Sequence, residues 1–168
     1  MSRDQTAPNG VEAARTICLN MLAARPRTRS ELSTRLAARG IADDVIGQIL
    51  DRLGSAGLVD DASYAAAFVA GHSRGLSRGE LVRRLEQKGV DRQISLDATG
   101  HIDTGSERAM AAGLVASKLR AMSDVDEPAK TRRLVAMLAR RGFGSAICYS
   151  VVREVCGEFD DQFALQSE

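Results

Sequence analysis

The chain has 168 residues and a net charge of +1; 44% of its residues are apolar, only 4% are aromatic, and it has no Trp. That length holds one ordinary domain or a short array of small helical units. Bases and acids number 8 and 6 over residues 1–57, 6 and 7 over 58–106, and 9 and 9 beyond, so no segment has the cationic excess that unaided tight DNA binding draws on.

No apolar run approaches the roughly 20 residues of a membrane span. The polar opening Met1 to Gly10 has no signal-peptide core, so the chain is expected in the cytoplasm, without a membrane partner. Ala, Leu, Val and Arg dominate, which favours helices, and Val and Ile never alternate as in strands.

In chain order, residues 1–12 are polar, contain Pro8-Asn9-Gly10 and are expected to be disordered. Ile17, Met21 and Leu22 then mark a first helix. Thr28-x-x-Glu31 is a capping box opening a second, in which Leu32 and Leu36 form an apolar stripe and Gly40 supplies the left-handed stop. Val45, Ile46, Ile49, Leu50 and Leu53 mark a third.

The pattern recurs. Asp60 or Asp61 caps a helix anchored by Tyr64 and Phe68, and Gly71 to Gly79 reads as a turn between helices. Ser77-x-x-Glu80 opens the next, with Leu81, Leu85 and Gly89, and Ile94, Ala98 and Ile102 follow in a helix that Thr99-Gly100 should fray. Met110, Leu114 and Leu119 begin a third round. A helix capped near Asp126 and Pro128 carries Leu134, Leu138 and Gly142-Phe143, and Ile147, Val151, Val152 and Val155 mark the last.

The three central helices share Leu-x3-Leu-x2-basic-Gly-apolar, their glycines 49 and 53 residues apart. An all-α array of three tandem three-helix repeats follows, with copies at 13–57, 58–106 and 107–158 and a loosened acidic tail at 159–168.

Catalytic chemistry finds no residue set. His72 and His101 stand singly, and the spacing of Cys148 and Cys156 is not that of a zinc site. Gly71 to Gly79 follows no strand, which excludes a phosphate loop. Cys18, Cys148 and Cys156 read as buried free thiols. No enzyme activity, metal, cofactor or small-molecule substrate is expected.

Binding residues are better represented. Arg39, Lys88 and Arg141 lie beside the leucine stripes and are assigned to helix ends. Arg83, Arg132, Arg133 and Arg140 point away from the stripes and Arg84 flanks one. Repeated on corresponding helices, these arginines can present one face to a protein partner, and Asp60 and Asp61 could meet a basic one.

The stretch Gly57-Leu58-Val59-Asp60-Asp61-x2-Tyr64-Ala65-x2-Phe68-Val69 and the run Arg140-Arg141-Gly142-Phe143 resemble the RecX family. So does Arg78-Gly79-Glu80-Leu81-x3-Leu85-x2-Lys88-Gly89-Val90, and the likeness covers roughly residues 13–158. It implies an elongated, curved all-α regulator that binds in the groove of RecA–DNA filaments. It further implies repression of RecA's recombinase, ATPase and co-protease activities, and so regulation of DNA repair and the SOS response. The family has no catalytic residues to carry over. Its motif positions here are Asp60, Asp61, Tyr64, Phe68, Arg141, Gly142 and Phe143.

The alternative is a tandem helix-turn-helix DNA-binding regulator. Against it, no helix after a glycine stop carries side chains suited to base edges, and Asp43-Asp44 would repel phosphates.

Overall fold

The computed structural model describes the backbone of residues 8–165 and the side chains of residues 10–157. Among the described residues it is helical with connecting turns: α1 (Pro8–Ala24), α2 (Arg29–Ala37), α3 (Asp43–Ser55), α4 (Asp61–His72), α5 (Arg78–Gln87), α6 (Arg92–Ala98), α7 (Thr104–Leu119), α8 (Glu127–Ala139) and α9 (Ser145–Leu165). Two compact units form, one from residues up to 69 with 84–98, the other from 70–83 with 99 onward. The division runs through α4 and α5; copies this small need neighbours to cover their apolar faces.

In the first unit α1, α2 and α3 enclose Ala14, Cys18, Leu32, Leu36, Val45, Ile46, Ile49, Leu50 and Leu53. Each fully buried Leu contributes roughly 1.5–3 kcal/mol. Residues 8–12, expected to be disordered, are instead the start of α1, where Val11 packs against this core; residues 1–7 lie outside the described residues. α1 also turns a different face inward. Ala14 and Cys18 are buried while Ile17, Met21 and Leu22 flank them.

The same shift recurs in α4. Ala65 and Val69 are buried, and Tyr64 and Phe68 are only half-buried at its edges. In both helices the residues at the centre of the buried face are Ala, Cys or Val, and the larger side chains lie on its flanks. α6 ends before Thr99-Gly100, and Ser95, not Ile94 or Ala98, is its buried residue. The Ser95 hydroxyl donates to the Asp91 carbonyl at 3.0 Å, which satisfies it inside the fold.

In the second unit α7, α8 and α9 enclose Ala111, Val115, Leu119, Met122, Leu134, Leu138, Phe143, Cys148, Val151 and Val152. Met110 and Leu114 lie beside this core, as do Ile147 and Val155. Asp126 caps α8 through the Ala129 N–H at 3.2 Å, with Pro128 in its first turn, as the sequence pattern requires. The acidic tail, expected to loosen, continues α9 to Leu165, because adding a residue to a helix already formed costs little. Residues 166–168 lie outside the described residues.

All three central helices stop alike. Gly40, Gly89 and Gly142 have φ of 74°, 77° and 84°. The following amide reaches back to the second leucine: Ile41 to Leu36 at 3.2 Å, Val90 to Leu85 at 3.1 Å and Phe143 to Leu138 at 3.2 Å.

Candidate protein-binding surface

Two junctions between copies decide which polar residues are spent inside the fold. In the first unit Thr28 completes its capping box, accepting from the Glu31 N–H at 3.1 Å while Glu31 accepts from the Thr28 N–H at 3.4 Å. The same buried hydroxyl donates to the Lys88 carbonyl at 2.7 Å, at the end of α5. Lys88 answers with an ion pair to Glu31 at 3.9 Å. Asp61, at the start of α4, accepts from the first helical amide of α2, that of Arg29, at 2.9 Å.

The second unit repeats the arrangement. Ser77 accepts from the Glu80 N–H at 3.1 Å and donates to the Gly142 carbonyl at 2.8 Å. Its own amide donates to the Arg141 carbonyl at 3.0 Å, so the return half of the expected capping box is taken by α8's end. Glu107 of α7 accepts from the Arg78 N–H at 2.6 Å, as Asp61 does for Arg29. Arg141 reaches the Gly75 carbonyl at 3.5 Å. Lys88 and Arg141 thus reach neighbouring segments, the Glu31 carboxylate and the carbonyl of the Gly75 turn, in place of the expected ends of their own helices, and Arg39 is exposed.

The proposed binding residues fall into two groups. Asp60 is engaged locally: its carboxylate caps α4 through the Ala62 and Ser63 N–H groups at 2.9 and 3.1 Å and takes the Ser63 hydroxyl at 2.6 Å. The Ser63 hydroxyl, more than the backbone bonds, holds the Asp60 carboxyl below the usual carboxylate range. Asp61 is engaged at the first junction. Arg83 is exposed but forks onto Glu80 at 2.8 and 2.6 Å, and the Glu80 side chain is only 8% exposed. Arg83 therefore compensates a buried carboxylate and is no free cation, unlike the partner-facing arginine expected from the sequence. Arg84 is half-buried.

Arg132, Arg133 and Arg140 are exposed on α8 and at its end. Arg133 and Arg140, two turns apart, share one face. Among the described residues the ion pairs formed by neighbouring charges, Lys130 with Glu127 and Arg108 with Glu154, leave these three out.

One element escaped the sequence reading. Tyr149 on α9 is 63% exposed. With Thr131, Ala146, Ser150, Arg153 and Cys156 it lines an open cavity of about 550 Å3. Its place opposite the Val151-Val152 stripe was the available signal. Tyr and Arg are the side chains that most often anchor protein interfaces, and α8 and α9 bring them to one unit. Among the described residues no cluster of three or more His, Cys, Asp or Glu could hold a metal, and no helix is long and apolar enough to cross a membrane.

Comparison with known proteins matches this geometry. The RecX first three-helix domain matches residues 14–53, and the RecX second three-helix domain matches residues 60–98. The regulatory protein RecX of Mycobacterium ulcerans is 45% identical over 157 residues, 91% of each chain. The chain belongs to the RecX family. RecX of Mycobacterium tuberculosis strain CDC 1551 is 42% identical over 154 residues, 88% of each chain. The crystal structure of RecX from Lactobacillus salivarius superposes with a TM-score of 0.75, covering 89% of this chain and 98% of that one at 22% identity. That likeness establishes the all-α helical repeat fold. The chain is accordingly a RecX-family regulatory protein.

Proposed function

We propose that this RecX-family chain binds the RecA filament formed on DNA and represses RecA's recombinase, ATPase and co-protease activities. It works in the cytoplasm, as a protein ligand of the filament and not as an enzyme. The observation that carries the reading is the 45% identity to a RecX regulatory protein over nine-tenths of both chains. The exposed arginines of α8 and the exposed Tyr149 and Arg153 of α9 support it as a surface suited to an acidic protein partner. DNA is at most a secondary partner, since α3 opens on exposed Asp43 and Asp44.

Co-sedimentation with preformed RecA filaments, beside naked DNA, tests this. The protein should pellet with filaments, and Arg132→Glu/Arg133→Glu should weaken binding about tenfold or more with little change in melting, since exposed charges contribute under about 1 kcal/mol to folding. Arg83→Glu is unsuited to the purpose, because it would leave Glu80 facing a second carboxylate. Binding to naked DNA as tight as binding to filaments would refute the proposal.

A further inference from the structure

We propose that the Gly40 turn ending α2 is a docking surface for the first turn of a helix on the filament protein, one capped by Ser or Thr and acidic at its third position. The inference rests on the filament-binding reading above and says which chemistry the partner offers.

Both other glycine turns show what such a turn receives. A Cβ on Gly89 would lie 2.2 Å from the Cβ and Oγ of Ser30, in the first turn of α2. A Cβ on Gly142 would lie 2.5 Å from the Cβ of Glu80 and 2.8 Å from the Ser77 hydroxyl, in the first turn of α5. In each case the turn lies flat on a helix N-terminus, and a cap hydroxyl donates to a carbonyl at the turn, Lys88 or Gly142. Opposite partial charges of helix ends meet there, and at the first junction Lys88 pairs with the acid at the third helical position, Glu31.

Gly40 has the same φ, 74°, and the same reverse hydrogen bonds, yet a Cβ there would meet nothing within 4 Å. Ala37, Ala38 and Arg39 around it are all exposed, as is Arg35 one turn earlier. Small side chains and a backbone turn leave a flat seat, and Arg35 and Arg39 complement an acidic first turn.

A second copy of the chain is a poor occupant. Its Thr28 and Ser77 hydroxyls already donate to Lys88 and Gly142, and α8 is capped by Asp126, whose carboxylate accepts and cannot donate.

The test compares wild type, Gly40→Asn, Gly57→Asn and Arg39→Glu in co-sedimentation with RecA filaments, alongside thermal melting and sedimentation velocity of each protein alone. Asn tolerates positive φ, so Gly40→Asn should melt close to wild type. Its Cβ enters the space that Ser30 occupies over Gly89, and binding should fall about tenfold or more. Gly57, also at positive φ with nothing within 4 Å, should tolerate Asn without loss of binding. Arg39→Glu breaks no ion pair among the described residues, should also bind more weakly, and decides the matter if Gly40→Asn melts early.

Filament binding by Gly40→Asn and Arg39→Glu equal to wild type overturns the inference while leaving the filament reading intact. Absence of wild-type binding overturns both. Self-association of the wild type that Gly40→Asn abolishes overturns it in favour of a second copy.

Discussion

Replacing Gly89 with Ala separates two costs that the same change at Gly40 does not combine. Both residues sit at positive φ, 77° and 74°, where an L side chain is disfavoured by roughly 1–2 kcal/mol. At Gly40 that is the whole cost, because the new methyl meets nothing within 4 Å. At Gly89 the methyl would lie 2.2 Å from Ser30, well inside contact distance, with the Ser30 Cα 3.7 Å away. Relieving that overlap means moving α2 against the end of α5, and overpacking of this kind costs about 1–3 kcal/mol more. Urea denaturation followed by circular dichroism should therefore place Gly40→Ala about 1–2 kcal/mol and Gly89→Ala about 2–5 kcal/mol below wild type. Ser30→Gly removes the opposing Cβ. Alone it should cost about 0.5 kcal/mol of helix propensity, but combined with Gly89→Ala it should recover about 1–3 kcal/mol as a favourable coupling. Equal losses at the two glycines, or no rescue by Ser30→Gly, would refute the docking geometry of the junction.

Two further outcomes follow from titratable groups. The Ser63 hydroxyl and amides hold Asp60 low, and the Ser106 amide holds Asp103 low at the cap of α7. A depressed folded pKa gives stability that is present above the unfolded value of about 3.9 and lost as pH falls through the folded one; Asp60→Asn/Asp103→Asn should flatten the acid limb of a melting-temperature profile, and an unchanged slope would count against both caps. Burial pushes the Cys18 and Cys148 thiols up, so a thiol reagent should modify half-buried Cys156 first and reach the other two only on unfolding; rapid modification of all three in the native protein would contradict this core.

The central helices were legible because their signals are local. Leu32, Leu36, Leu81, Leu85, Leu134 and Leu138 are all fully buried, and each helix is closed by a glycine whose conformation a neighbouring leucine carbonyl fixes. The first helix of each copy was legible as a helix, but its buried face was read only in part. Ile17, Met21 and Leu22, Tyr64 and Phe68, and Met110, Leu114 and Leu119 marked the expected faces; of these Leu119 is buried, and the rest are not among the buried core residues. The buried pairs are Ala14 and Cys18, Ala65 and Val69, Ala111 and Val115. Side-chain size marks the apolar side of a helix but not its centre, which Ala, Cys or Val can occupy as well as a larger residue. In the candidate surface, Arg132, Arg133 and Arg140 could be read from helical periodicity alone. The engagement of Arg83 could not, since it depends on Glu80 being buried against the Gly142 turn. That burial is created by a residue far along the chain.

The choice of cap residue sorts the helices by whether another helix end rests on them. α2 and α5 are capped by hydroxyls, Thr28 and Ser77, and each hydroxyl both accepts from its own helix and donates to the carbonyl of an incoming turn. α4, α6, α7 and α8 are capped by carboxylates, Asp60, Asp91, Asp103 and Asp126, each accepting from amides of its own helix. An ionised carboxylate has no proton to give, and bringing a carbonyl oxygen against it would oppose two acceptors and desolvate a charge. At both junctions a hydroxyl fills the two roles, whereas a carboxylate caps its own helix and has no proton for a neighbour's carbonyl. Asp126 caps α8 in the second way, and Asp126→Ser would keep a cap while supplying a proton to donate.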